Sequence, residues 1–298
     1  MKVLYSEEFL KYYEQGHPES PDRVKTIKEF LGKKGIVEFI NPVSCTEDDL
    51  LLTHTEELIK RVKESNFYDT DTPNIQNIYY YASLSCGSAI SAASIALNGE
   101  IAFSLARPPG HHAGRNKLGG FCYFNNMAVA VKKILKEHKV KIAVLDIDGH
   151  HGNGTEEILK EDEGVIYISL HQYPAFPGTG TTSFNNCYNF PIFPGSTPEN
   201  YIHKFKKAMD IIMNFSPDLL GISLGFDAHY SDPLLNLSLD DIHYYQMAKQ
   251  ISTITKKIFI VLEGGYNTKT VGNTCYCFLN GLVSRGNDND IRKDNGRQ

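Results

Sequence analysis

Six short runs rich in Val, Ile and Leu, at residues 2–5, 100–106, 140–146, 165–170, 219–224 and 258–262, alternate with longer amphipathic stretches at 21–32, 79–98, 125–137, 198–215, 239–256 and 268–282. Strands buried on both faces read as near-continuous apolar runs, and parallel neighbours need a helix-length crossover between them. The alternation therefore predicts an α/β chain: a single three-layer domain whose mostly parallel sheet carries helices on both faces. Thr197-Pro198-Glu199 reads as a helix start, a capping hydroxyl followed by proline in the first turn. No internal repeat and no Pro- or Ser-rich linker divides the chain. Residues 1–284 are expected to form one domain, and 285–298, with Ile291 as the single aliphatic residue, a disordered tail.

The segments that follow these runs narrow the chemistry. Residues 100–106 lead into Arg107-Pro108-Pro109-Gly110-His111-His112, and 140–146 into Asp146-Ile147-Asp148-Gly149-His150-His151-Gly152-Asn153-Gly154. After 165–170 come His171 and a Pro/Gly-rich loop at 173–180; after 219–224 comes Gly225-Phe226-Asp227-Ala228-His229; after 258–262 comes Glu263-Gly264-Gly265-Tyr266. Open α/β sheets bind ligands beyond the carboxyl ends of their strands. Five such loops would meet on one rim. Polar caps on buried strands would not so consistently present carboxylates, imidazoles and glycines. Side chains alternate faces along extended backbone, so Asp146, Asp148 and His150 are expected on one side of a strand end, as a zinc site requires.

Formal net charge is −5, which argues against direct binding of nucleic acid or an anionic membrane. No apolar stretch reaches the roughly 20 residues of a membrane span. Glu7, Glu8 and Glu14 argue against a secretory signal, so a cytoplasmic location is expected. Cys45, Cys86, Cys122, Cys187, Cys275 and Cys277 are scattered, which argues against a disulfide framework; Cys275 and Cys277 stand too close for half of a zinc knuckle.

Taken in order, the histidine and Asp/His motifs above, Gly119-Gly120-Phe121-Cys122-Tyr123-Phe124-Asn125-Asn126 and Gly225-Phe226-Asp227-Ala228-His229 resemble those of the histone deacetylase family, which includes acetylpolyamine amidohydrolases and acetoin-utilisation proteins. The resemblance runs from His17-Pro18-Glu19-Ser20-Pro21 to Asn267 and looks closest to the class II and prokaryotic branches. It implies an arginase/deacetylase-like fold with an eight-stranded parallel sheet, and a catalytic domain over 1–284. It also implies a zinc-dependent amidohydrolase that removes acetyl or other short acyl groups from acylated amines. N-acetyl-lysine of proteins is the first substrate, acetylated polyamines the alternative; oligomeric state is left open.

By the same resemblance, Asp148, His150 and Asp227 bind one zinc. Two carboxylates and a neutral imidazole leave a divalent ion without net charge, so its water should be acidified less than to the pKa of about 7 known beside three histidines. A separate base is then needed, and His111 and His112 can supply it. Pro108-Pro109-Gly110 makes their segment irregular, so both rings can face one pocket. The resemblance pairs His111 with Asp146 and His112 with Asn153. A carboxylate raises a histidine's basicity, whereas an amide orients it without adding charge. His112 is therefore expected as general base and then acid, with His111 as its cationic partner.

Tyr266 matches the family tyrosine that steadies the oxyanion. Phe121 and Phe176 match the aromatics that sandwich an aliphatic stem, with Gly120 and Leu234 in the same tunnel. Asp71 matches a rim carboxylate; a solvated acidic turn accounts for it equally. Arg23 matches the lining of an inner acetate pocket, where an exposed helix-start arginine is the commoner case. Backbone carbonyls of Asp146, His150 and Leu170, with the side chains of Asp148 and Ser169, match a structural potassium or sodium site. His151, His171 and His229 stay unassigned.

Three rivals compete for this rim. A binuclear manganese hydrolase of the arginase fold needs Asp-x-His-x-Asp, and Gly152 stands at the last of those positions. A catalytically inactive acetyl-lysine-binding module sits poorly with an intact set of His111, His112, Asp148, His150, Asp227 and Tyr266. A serine hydrolase is set aside on the expectation that no Gly-x-Ser-x-Gly elbow is present. Polyamine-selective animal relatives carry an acid directly after the Asp-Pro motif, whereas Leu234-Leu235 follow Asp232-Pro233 here; Asp71 and Glu19 are the other acids expected at the rim.

Overall fold

The computed structural model describes residues 1–284, so the expectation for 285–298 lies outside the described residues. Its strands are β1 (Lys2–Leu4), β2 (Glu38–Ile40), β3 (Ala102–Ser104), β4 (Ile142–Asp146), β5 (Val165–Gln172), β6 (Cys187–Ile192), β7 (Leu219–Leu224) and β8 (Ile258–Leu262). They form one eight-stranded sheet in the order β2-β1-β3-β8-β7-β4-β5-β6, with every pairing parallel. The five strands expected to feed the rim, β3, β8, β7, β4 and β5, are contiguous in that order. Their carboxyl ends therefore open side by side, and Asp146 aligns with Ser169 on one neighbour and Ser223 on the other.

The helices are α1 (Pro21–Lys34), α2 (Glu47–Leu50), α3 (Glu56–Lys63), α4 (Ile78–Leu97), α5 (Asn126–Glu137), α6 (Asn153–Leu159), α7 (Pro198–Phe215), α8 (Asp241–Ile251) and α9 (Val271–Val283). β4 shows how the layers arise. Ile142 and Val144 pack with Ala89, Ala93 and Val131 of α4 and α5. Ala143 and Leu145, one residue out of phase, belong to the opposite core with Ile27, Phe205, Tyr244 and Phe278 of α1, α7, α8 and α9. Burying each of the larger side chains here, Ile, Val, Leu or Phe, contributes roughly 1.5–3 kcal/mol.

Capping fixes several helix starts. Asn125 accepts the Ala128 N–H at 2.9 Å at the head of α5, and Asp240 accepts from Ile242 and His243 at the head of α8. Thr197 holds the cap position before Pro198, but its hydroxyl makes no capping bond, against expectation. β2, β6, α2, α3, α6 and a 3-10 turn at Glu7–Leu10 are additions to the elements read from apolar runs. Among the described residues no disulfide forms, and no helix is long and apolar enough to cross a membrane.

Candidate active site and metal centre

β4 ends at Asp146, and the chain then turns instead of running on. The Asp148 N–H donates to Asp146 Oδ1 at 3.2 Å, and the His150 N–H to Asp148 Oδ1 at 2.8 Å. Two successive carboxylate turns of this kind, not strand alternation, bring Asp148 and His150 together. That corrects the extended-strand expectation. Asp227 arrives from the loop after β7. Ligand atoms of Asp148, His150 and Asp227 lie within 4.8 Å of one another. His150 Nδ1 is 2.6 Å from Asp227 Oδ2 and 3.3 Å from Asp148 Oδ1.

Both carboxylates are buried, each further held by one backbone donor: Gly264 N–H to Asp148 at 2.7 Å, Gly149 N–H to Asp227 at 2.6 Å. A Cβ at Gly264 would stand 2.6 Å from Asp148 Oδ2 and 2.9 Å from Asp227 Oδ2, so glycine keeps this cradle open. Burial pushes the Asp227 carboxyl up, and the negative charge of Asp148 adds to it. Two acids crowded in the dry interior call for a cation. Two oxygen donors and an imidazole nitrogen from three residues fit a zinc ion with one position left open.

The histidine pair stands beside this triad. His111 Nδ1 lies 3.2 Å from Asp146 Oδ2, and Tyr167 donates its hydroxyl to the same oxygen at 2.9 Å. His112 Nδ1 lies 2.8 Å from Asn153 Oδ1. The two rings are 4.0 Å apart, centre to centre. Burial alone would lower the His111 imidazole, but the carboxylates of Asp148 and Asp146 overcome it and lift it to about 10. A cation on Asp148 would weaken that pull and leave Asp146 as the lasting partner. His112 is held well below its ordinary value by burial, then by the charges of His111 and His150.

A cavity of about 260 Å³ is lined by Asp71, His112, Gly120, Phe121, His150, Phe176, Leu234 and Tyr266. Phe176 meets the His112 ring edge-to-face at 4.9 Å, and Phe121 meets Tyr266 at 5.7 Å. Gly120 has φ +56°, and a Cβ there would stand 2.5 Å from the His112 ring and 2.8 Å from Phe176. Phe121 itself has φ +70°, a left-handed conformation fixed by its N–H donating to Thr72 Oγ1 at 3.0 Å. Leu234 and Phe176 are 41% and 46% exposed, which puts them at the mouth with Asp71. Burial raises the Tyr266 phenol well above its ordinary value, so it stays protonated as a donor.

Other expected residues lie elsewhere. Arg23 is buried, its guanidinium 4.8 Å from the Tyr266 ring centre, and donates to the Gly265 carbonyl at 2.6 Å and to Glu19 at 3.1 Å. Glu19 is 5% exposed and gripped at both oxygens by Arg107 at 2.7 Å, so it is not a rim acid. Ser169 Oγ pairs with His171 Nδ1 at 2.9 Å, and His151 with Thr179 at 2.8 Å. His229 contacts Ser231 at 2.8 Å. The Gly-x-Ser-x-Gly spacing does occur, at Gly221-Ile222-Ser223-Leu224-Gly225. Ser223 nonetheless lies inside β7, fully buried and donating to Glu263 at 3.1 Å, which is no strand-to-helix elbow.

Sequence reasoning also missed residues that hold the site from behind. Asp232 accepts the Tyr266 N–H at 2.7 Å and the Leu234 N–H at 2.9 Å. Glu263 accepts the Gly110 N–H at 2.7 Å and the His111 N–H at 3.2 Å. Their one signal in the sequence was an acid set inside a glycine- or proline-marked loop.

With this geometry in view, the family description "Histone deacetylase domain" matches residues 17–282. The chain belongs to the histone deacetylase family. A protein named probable deacetylase from Archaeoglobus fulgidus is 36% identical over 292 residues, covering 90% of this chain and 81% of that protein. Histone deacetylase clr3 of Schizosaccharomyces pombe is 33% identical over 90% of this chain, which spans 45% of its length. Among solved structures, the HDA15 HD domain superposes with a TM-score of 0.89 at 32% identity, covering 95% of this chain and 91% of that one. An acetylpolyamine aminohydrolase from Burkholderia pseudomallei superposes with a TM-score of 0.90 at 23% identity, covering 95% and 99%, a likeness of fold alone. The eight-stranded arginase/deacetylase architecture of the histone deacetylase family is thus the fold of this chain.

Proposed function

We propose that this histone deacetylase family member is a zinc-dependent amidohydrolase that removes acetyl groups from N-acetyl-lysine of proteins. The observation that carries the reading is the convergence of Asp148, His150 and Asp227 on one point, with His150 also lining the cavity shared by His112, Tyr266, Phe121 and Phe176. Zinc held by the triad supplies Lewis acidity toward an amide oxygen and acidity to a water.

The chain's own residues do the rest. Phe121 and Phe176 take the aliphatic stem between them, with apolar burial worth roughly 25 cal/mol per Å². Asn153 holds the Nδ1 proton of His112, so Nε2 takes the proton of the attacking water and then gives it to the leaving amine. His111, kept cationic by Asp146, stabilises the negative charge that develops. The Tyr266 hydroxyl donates to the carbonyl oxygen as it becomes an oxyanion. Asp71 at the mouth accepts a hydrogen bond from the substrate backbone. The same reading places a structural potassium or sodium ion on the carbonyls of Asp146, His150 and Leu170 with the side chains of Asp148 and Ser169.

Acetyl-lysine is favoured over a polyamine because Leu234, an apolar residue, lies at the mouth, while Glu19 is spent on Arg107 and Arg23. Turnover of an acetyl-lysine peptide, acetylputrescine and acetylspermidine by zinc-loaded protein tests this. The peptide should be hydrolysed fastest; preference for either polyamine would reverse the substrate assignment, and no turnover of any would remove the enzyme reading.

A further inference from the structure

Glu263 is a buried acid that the chemistry above leaves unused. It directly follows β8 and its Ile-Phe-Ile-Val-Leu run, where packing alone would be served by one more apolar side chain. It is fully buried, and its three side-chain hydrogen bonds come from neutral donors: Gly110 N–H and His111 N–H on one oxygen, Ser223 Oγ on the other. Burying an acid with neutral donors alone is costly, so its bonds are the place to look for a role.

Those bonds grip the His111 peptide from one side. From the other side, the His111 carbonyl accepts the Gly154 N–H at 3.0 Å and the Thr155 N–H at 3.1 Å, two otherwise partnerless donors in the first turn of α6. The segment bearing both imidazoles is thereby clamped between the end of β8 and the start of α6. α6 also begins with Asn153, the partner of His112. Beyond Glu263 the same four-residue stretch touches the rest of the site. Gly264 N–H donates to Asp148, and Tyr266 lines the cavity.

We propose that Glu263 is a positioning residue: its carboxylate holds the His111–His112 backbone in register with Asp148 and Tyr266. The inference rests on the amidohydrolase reading for its kinetic consequence and on geometry alone for its structural one. Glutamine can replace the acceptor, since its amide oxygen can take both N–H donors and its amide nitrogen can donate to Ser223 Oγ.

The test compares zinc-loaded wild type, Glu263→Gln and Glu263→Ala on an acetyl-lysine peptide, with zinc content, Tm and histidine-ring NMR measured in parallel. Glu263→Ala should lower kcat about 10- to 100-fold with KM within twofold and zinc content unchanged, an orientation loss of the kind that small misplacements cause. It should also displace the His111 and His112 ring signals. Glu263→Gln should recover most of the turnover and leave those signals in place. A kcat for Glu263→Ala within threefold of wild type, a loss confined to KM, or a Glu263→Gln as impaired as Glu263→Ala overturns the proposal. Wild type that hydrolyses nothing sinks the functional reading instead, and the ring signals then judge Glu263 alone. If Glu263→Ala does not fold, Ser223→Ala, which frees one carboxylate oxygen, should lower kcat at least threefold and shift the same signals; unchanged values count against the role.

Discussion

Asn153 Oδ1 accepts the Nδ1 proton of His112 at 2.8 Å, leaving Nε2 as the unprotonated nitrogen of a ring that lines the cavity. The neighbouring His111 meets a carboxylate instead, and that difference divides the two rings into a neutral one and a cationic one.

The division predicts the effect of Asn153→Asp. His112 is held low by burial and by neighbouring positive charge, so its ring is neutral near neutral pH, as the proposed role of base requires. A new carboxylate 2.8 Å away would favour its protonated form and move the acid limb of kcat/KM to higher pH, by about 1 to 3 pH units. A pH–rate profile checks the direction. His112→Ala should cost more turnover than His111→Ala, and the reverse order would contradict the division.

On the proposed mechanism, Tyr266→Phe removes one oxyanion donor while leaving the ring against Phe121 and Arg23. Turnover should fall by about 10² to 10³ with little change in KM. Steady-state kinetics on the acetyl-lysine peptide decide it; a loss carried by KM would recast the tyrosine as a wall of the tunnel.

His54 supplies a pH dependence of folding remote from the candidate metal site. Its Nδ1 donates to the Gly114 carbonyl at 2.9 Å and its Nε2 accepts the Asn125 N–H at 2.9 Å, so the buried ring is neutral. Burial lowers it from 6.5 to about 4. Between those values the unfolded chain holds the extra proton. Its contribution is therefore complete above pH 6.5 and declines as pH falls toward 4, by about 3 kcal/mol in all. Urea unfolding across that window should show a shallower decline for His54→Asn than for wild type.

The ion pair of Arg107 with Glu19 offers a stability test. Arg107→Met leaves the buried Glu19 carboxylate with Arg23 as its remaining cationic partner at 3.1 Å. Removing one partner of a buried pair costs roughly 3–5 kcal/mol. Chemical denaturation should show that loss, and Arg107→Met combined with Glu19→Leu should recover part of it. A double variant no more stable than Arg107→Met would show that the pair does not act as a unit.

These bonds also mark where the sequence was mute. Asp148, His150 and Asp227 were legible because each follows an apolar run, and the runs pair side by side. Glu19 meets Arg107 across 88 residues, and Glu263 meets His111 across 152, separations that no periodicity can report. β2 is a three-residue edge strand with no buried residue. β6 is an edge strand interrupted by Pro191, a residue tolerated where no further neighbour needs its N–H. Neither carries a continuous apolar run. α6 escaped notice because its start, Asn153-Gly154, reads as the tail of the Asp/His motif.

The proposed chemistry requires one divalent metal on Asp148, His150 and Asp227 for amide hydrolysis. Stripping the protein with a chelator and titrating zinc back while following release of acetate from an acetyl-lysine peptide tests it most directly. Turnover should vanish, return in proportion to zinc and saturate at one equivalent per chain, with no return for Asp227→Ala. Stripped protein that turns over at the original rate, or a second equivalent needed for activity, would contradict a single essential metal at this triad.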